Sequence, residues 1–207
     1  MKAARFAVGL ALAGVLLAGA AVHAQANEAV AVDWRKAATR QDRERLRQWR
    51  DAWMKALDRV RATPDGRAAL AADAALFDPD RVAQGAALPP GRYRCRSWRL
   101  GSTGPGIRAL LRGDWTACRV SEEGIVRRFV TDGAQRASGH LFDSTDSRGV
   151  FLGTLALGDE DRPMRYGRDE RRDMAGLVER IGPARWRLVL PFPGFQSTLD
   201  VMEIVPA

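Results

Sequence analysis

Metal-binding and nucleophilic side chains are scarce in this chain of 207 residues, which holds two His, two Cys and two Tyr. Catalytic metal centres draw three protein ligands, mostly nitrogen or sulfur donors, and beyond residue 24 only His140, Cys95 and Cys118 offer them. No metal site is expected on that count, and no cofactor either. The cysteines lie in neither a CxxC nor a CxxCH spacing, which removes a zinc ribbon, a dithiol redox centre and a c-type haem. A GxSxG elbow is missing, so a serine hydrolase of that class has no nucleophile turn. Gly101-Ser102-Thr103-Gly104-Pro105-Gly106 lacks the Gly-Lys-Ser/Thr ending of a phosphate loop and reads as a flexible connection. After residue 22 no apolar run is long enough to cross a bilayer.

The first two dozen residues are what the chain does have. Lys2 and Arg5 precede an apolar run from Phe6 to Val22, and Val22-His23-Ala24 leads into polar sequence. A basic start, a short Ala/Gly-rich apolar stretch and small residues at its end describe a secretory signal peptide. Cleavage is expected after Ala24, with Ala24-Gln25-Ala26 as a second site. The mature chain, residues 25–207, is then expected in the periplasm or the medium with no stable transmembrane anchor.

The formal charge of +8 falls by two when Lys2 and Arg5 leave. Charges alternate in sign along residues 40–61 and 159–173, the pattern of a solvated face. With no nucleic-acid motif and no basic stripe, nucleic acid is not an expected partner. Lysine occurs only at Lys2, Lys36 and Lys55, and every other base is arginine.

In an oxidising compartment Cys95 and Cys118 read as a disulfide. It closes a loop of about two dozen residues and contributes on the order of 3 kcal/mol. Two separate buried thiols are the other arrangement.

Thr39 to Ala62 reads as one amphipathic helix, capped by Thr39 with Asp42 in its first turn. Leu46, Trp49, Trp53, Leu57 and Val60 draw an apolar stripe at spacings of three and four, a docking face. Thr63-Pro64 starts a second helix, which runs over Ala68 to Leu76 and stops at Asp78-Pro79-Asp80. Leu88-Pro89-Pro90-Gly91 marks the internal boundary. The expected organisation is a signal peptide over 1–24, a helical hairpin over 25–88 and a β domain over 89–207.

From Arg92 onward short apolar stretches alternate with Gly, Asp, Ser and Pro. Eight strands are predicted: 92–100, 114–121, 125–131, 135–142, 149–157, 175–181, 184–190 and 199–205. Their tight connections imply antiparallel hairpins, and eight in series favour an up-and-down barrel. The fold class is α+β, mainly β: a lipocalin-like antiparallel barrel behind an N-terminal helical hairpin. Tyr93, Cys95 and Ser97 share one strand face, Thr116, Cys118 and Val120 another, so the cysteines meet if both faces point inward. Trp186, Leu188 and Leu190 make a further inward set opposite Arg185 and Arg187. The long connections 101–113 and 158–172 are where binding resides on such scaffolds.

Within the second of these, Arg165, Tyr166, Arg168, Arg171 and Arg172 form the candidate binding set, since Arg with Tyr is a common interface composition. The acidic turns 143–146 and 159–161 lack the calcium-loop pattern and read as ordinary turns. His140 lies in a strand beside Gly139 as a structural or surface residue, and no catalytic residue is assigned.

Tyr93-Arg94-Cys95-Arg96 with Gly101, Tyr166-Gly167, Gly176 to Ile181, Trp186-Arg187-Leu188, Pro191-Phe192-Pro193 and the ending Leu199 to Pro206 together resemble an uncharacterised family of exported bacterial proteins, a domain of unknown function, DUF 4893. The likeness runs from about Asp33 to the C-terminus. It brings no established activity, so it implies no catalytic or binding residue. A looser likeness, of architecture alone, is to the small periplasmic barrels that inhibit proteases. The expected function is a non-enzymatic binding or inhibitor-like module for an envelope protein or small ligand. A hydrolase working through Asp143, Asp146, Glu179 and Glu203 is the alternative.

Overall fold

The alternation read from residue 91 onward becomes a closed wall. In the computed structural model, which describes residues 32–102, 104, 106–158, 160–194 and 197–207, five helices precede nine strands. The helices are α1 (Trp34–Ala37), α2 (Arg40–Arg47), α3 (Trp49–Arg61), α4 (Pro64–Ala72) and α5 (Ala74–Phe77). The strands are β1 (Gly91–Leu100), β2 (Leu110–Arg112), β3 (Thr116–Glu123), β4 (Val126–Thr131), β5 (Gln135–Asp143), β6 (Gly149–Leu157), β7 (Asp173–Gly182), β8 (Arg185–Pro191) and β9 (Leu199–Pro206). The expected leader and its cleavage site fall outside the described residues.

Every ladder is antiparallel, and β1 pairs with β9 to close an eight-stranded barrel of β1 and β3–β9. The extra strand, β2, lies on β1 beside the point where β3 begins, at Trp98↔Arg112 against Cys95↔Thr116. It was expected as loop because three residues are too few to show a period of two.

The expected single helix over 39–62 is two. Gln48 (φ −90°, ψ 12°) ends α2 and opens α3. Thr39 caps α2 as its sequence implies, its hydroxyl accepting from the Asp42 amide at 3.1 Å. Thr63 caps α4 in the same way, with Pro64 in its first turn.

Period-two strands sort their side chains into two apolar groups. One fills the barrel, with Tyr93, Cys95, Cys118, Phe129, Phe151, Trp186, Leu188 and Ile204 among its members. Tyr93 meets Trp186 edge-on at 6.1 Å and Phe129 meets Phe151 at 5.8 Å. Gly139 and Gly153 pair across β5 and β6 to make room for the latter, since a Cβ on Gly153 would lie 2.5 Å from the Phe151 ring. The cysteines form a disulfide inside this group, with their Cα atoms 5.9 Å apart.

The other group lies between the outer wall and the helices. Trp53, Leu57 and Val60 of α3 pack with Leu76 and Phe77, and with Trp98, Leu100, Leu177, Val189 and Val201 of the strands. The helices therefore cover β7, β8, β9 and part of β1, and leave the outer face of β1 and β3 below Trp98 bare.

One end of the barrel is sealed by the segment that leads into β1. Leu88 joins the interior group, the Tyr93 hydroxyl donates to Pro89 O at 2.7 Å, and Ala86 N donates to Asp146 O at 3.0 Å. The long connections 101–109 and 158–172 and the connection 192–198 all gather at the opposite end.

Candidate functional site

At the open end the interior side chains stop short of the rim and leave a cup of about 80 Å³. Ala137, Leu155, Met174, Leu190 and Met202 make its apolar floor, with Ser97 among them. Arg99, Gln135, Arg171, Arg172 and Asp200 stand around it. Arg99 and Asp200 face each other across the β1/β9 ladder. Both occupy the inward register of their strands, two residues beyond Ser97 and before Met202.

Asp200 accepts a hydrogen bond from the Ser197 hydroxyl at 2.6 Å. Burial nevertheless pushes its carboxyl up to about 6, against the opposing pulls of Ser197 and Arg99. Arg99 reaches over the opening to donate to the Gln135 side-chain oxygen on β5. Asp173 borders the cup with one oxygen accepting from Gly167 N at 2.9 Å and the other buried without a partner. Burial raises its carboxyl as well.

Two residues of the β8–β9 connection have constrained geometry at the rim. Phe192, between two prolines, holds a positive φ of 45°, a conformation costly for a residue with a side chain. Its ring packs against the helix-covered group, and Lys55 Nζ lies 5.9 Å from the ring. Gly194 follows because a Cβ there would come within 2.1 Å of Arg171 O. The β8–β9 connection thus lies directly on the β6–β7 connection.

The five candidate binding residues separate. Arg171 and Arg172 reach the rim, and Arg172 is paired with Glu160 and Asp169. Tyr166 turns away: its hydroxyl donates to Asp42 at 2.6 Å and accepts from Thr39 N at 3.1 Å, tying the connection to α2. Burial and the Asp42 carboxylate hold its phenol well above the usual range. Arg45 completes that junction, bonding Asp42, Asp173 O and Glu170 O. Arg165 and Arg168 point to solvent.

The four carboxylates of the hydrolase alternative also separate. Glu179, Arg187, Glu203 and Arg96 form a row across β7, β8, β9 and β1, alternating in sign. Glu179 and Arg187 are 0% exposed and 2.6 Å apart, and Arg148 adds a second bond to Glu179 at 2.6 Å. The Arg187 guanidinium also donates to Leu76 O, Asp78 O and Arg81 O at 2.9, 2.7 and 3.2 Å, and lies 4.5 Å from the Trp53 ring. Glu203 is held by Arg96 at 2.7 Å and by Arg185 at 2.6 Å, and Arg185 in turn holds Asp73. Both glutamates are thus saturated struts between wall and helices. Asp143 and Asp146 are exposed at the sealed end, where Asp143 pairs with Arg127. His140 Nε2 lies 3.4 Å from Glu123 on the outside of the wall.

Sequence reasoning passed over Arg99 and Asp200. Their signal was charge at inward positions near the ends of two strands, where apolar residues belong. No group of three or more His, Cys, Asp or Glu able to hold a metal occurs among the described residues.

No curated protein and no solved structure matches this chain. The model of one family does match, over residues 34–204, and this barrel with its helical cover therefore belongs to the family described as Domain of unknown function (DUF4893).

Proposed function

We propose that the protein is an exported, non-enzymatic binding module that receives a small acidic group in the barrel mouth. The group is either a free ligand or the end of a side chain or peptide of an envelope protein. The observation that carries this reading is the cup itself. Its volume of about 80 Å³ is far below the several hundred Å³ of a drug-sized ligand site, so a lipocalin-type cargo does not fit. A short apolar stub does, and Arg99 and Arg171 supply the charge for an acidic head. The paired state of Glu179 and Glu203 weighs against a carboxylate hydrolase, because a general acid or base needs a proton-exchanging oxygen facing substrate.

A heteronuclear NMR titration with short-chain carboxylic acids and with peptides ending in a free carboxylate tests the reading. Saturable shifts at the Met174 and Met202 methyls and the Arg99 side chain support it. Binding is expected to be tighter at pH 5 than at pH 7, because Asp200 is mostly neutral below about 6 and then no longer repels an anion. Shifts elsewhere, or turnover of an ester or glycoside abolished by Glu203→Gln, would overturn it. Export is checked by cell fractionation, with a mature chain beginning at Gln25 as the expected product.

A further inference from the structure

We propose that the bare outer face of β1 and β3 is a docking surface for an extended acidic segment of a partner protein, held by Arg92, Arg94 and Arg119 beside the Trp115 ring. This surface lies on a different side of the wall from the mouth and does not rest on the reading given for it. Arg92 and Arg119 are direct partners across the β1/β3 ladder, and both are exposed. Like charges placed opposite each other, with Cβ atoms roughly 5 Å apart, destabilise a sheet. Neither has an acidic partner within ion-pair distance among the described residues, and nor does Arg94.

That arrangement is specific to this face. On the covered wall, the row Glu179, Arg187, Glu203 and Arg96 alternates in sign at equivalent outward positions. The row runs out at Arg96, whose guanidinium lies 4.4 Å from the Trp115 ring, with Arg94 at 5.3 Å. Trp115 remains 37% exposed. Arg92, Arg94, Arg119 and Trp115, with Ala117 and Val130, line an open groove of about 610 Å³, bordered also by the Asp132 side chain and by Ala207, whose backbone N donates to Arg92 O at 3.2 Å.

Charge complementarity calls for an anionic occupant, and the geometry selects its form. Arg92 and Arg94 project from the same face two residues apart, about 6.8 Å along the strand. An extended peptide repeats its side chains at that same interval, so a Glu-x-Glu sequence matches both guanidinium groups in register. The Trp115 and Val130 surfaces suit an apolar side chain two residues further along, on the same face of the extended segment as the glutamates. A bilayer is flat and does not enter a groove, so a lipid surface is the less suitable anion.

The test is fluorescence anisotropy of a labelled peptide carrying Glu, Glu and Phe at alternate positions with Ala between them, added to the purified protein. Saturable binding that weakens with salt is expected. Arg92→Gln/Arg119→Gln should weaken it by roughly tenfold or more. Arg92→Lys/Arg119→Lys should retain most of it, and Asp200→Asn all of it. Because the double Gln variant removes a repulsion, its Tm should be unchanged or raised. In the unaltered protein, peptide-induced amide shifts should centre on β1 and β3. Absence of peptide binding, binding indifferent to the double Gln variant, shifts centred elsewhere, or binding to phosphatidylglycerol vesicles in place of the peptide would each overturn the proposal.

Discussion

The barrel carries outward-facing arginines on two walls. On the wall beneath the helices, Arg187 is fully buried, paired with Glu179 and bonded to carbonyls in the last turn of α5 and just beyond it. On the wall of β1 and β3, Arg92, Arg94 and Arg119 face solvent beside one another. A guanidinium taken out of water demands an acid and several acceptors, and the covered wall supplies both. The exposed wall has no such demand, and solvent tolerates a cluster that a covered surface would not. Between these two walls, pairing follows burial: the arginine that the helices cover is paired, and those facing solvent on β1 and β3 are not.

The two walls also differ in what fixes them. The helices clamp β7, β8 and β9 through a shared apolar group, whereas β1 and β3 are joined by the Cys95–Cys118 disulfide. The largest expected effect follows from breaking the covered wall. Arg187→Met should cost about 3–5 kcal/mol in urea unfolding, because it leaves the buried Glu179 carboxylate with Arg148 as its one remaining cation and frees the carbonyls of Leu76, Asp78 and Arg81. A loss under about 1 kcal/mol would mean that the apolar contacts alone dock the helices. Replacing both cysteines with alanine should cost about 3 kcal/mol. Hydrogen exchange should then rise more in β3 than in β8, and a uniform rise would show that the two walls do not differ in this respect.

Tyr166→Phe loosens the covered side at the α2 junction, leaving Asp42 with one donor fewer. Its expected cost is about 1–2 kcal/mol, read as a lower Tm with the cup intact. Asp200 contributes with the opposite sign. Its folded carboxyl, at about 6, binds a proton more tightly than in the unfolded chain, where the value is about 4. Stability from this group is complete below pH ~4 and is lost as the pH rises through about 6. Asp200→Asn should therefore stabilise the protein at pH 7 by about 1 kcal/mol, after discounting for solvent at the mouth. The slope of stability between those two pH values should flatten, with the remainder carried by Asp173, raised in the same direction. The smallest effect belongs to the bare wall: Arg119→Gln should raise stability by about 0.3 kcal/mol, and a measurable loss would reveal a partner for Arg119.

Much of the scaffold is legible in the amino-acid sequence. Alternation in residues such as Tyr93-Arg94-Cys95 places side chains on one face or the other by the geometry of an extended chain, and Asp-Gly and Gly-Pro pairs punctuate it. The site was less legible. Tyr166 and Arg171 sit five residues apart in one connection, but the first braces α2 and the second reaches the rim. Glu179 and Glu203 looked like candidates for catalysis because sequence cannot show that Arg187 lies between them.

Local geometry thus determined the eight barrel strands, the helix caps at Thr39 and Thr63 and the faces that bring Cys95 and Cys118 together. These depend on steric periodicity and on neighbours within a few residues. Only the tertiary structure decided which face the helices cover, that Leu88 seals one end while a small cup remains at the other, and which arginines are buried in pairs. Those outcomes depend on docking between segments far apart in the chain, where burial sets the energetic demand on a charge and no local pattern records it.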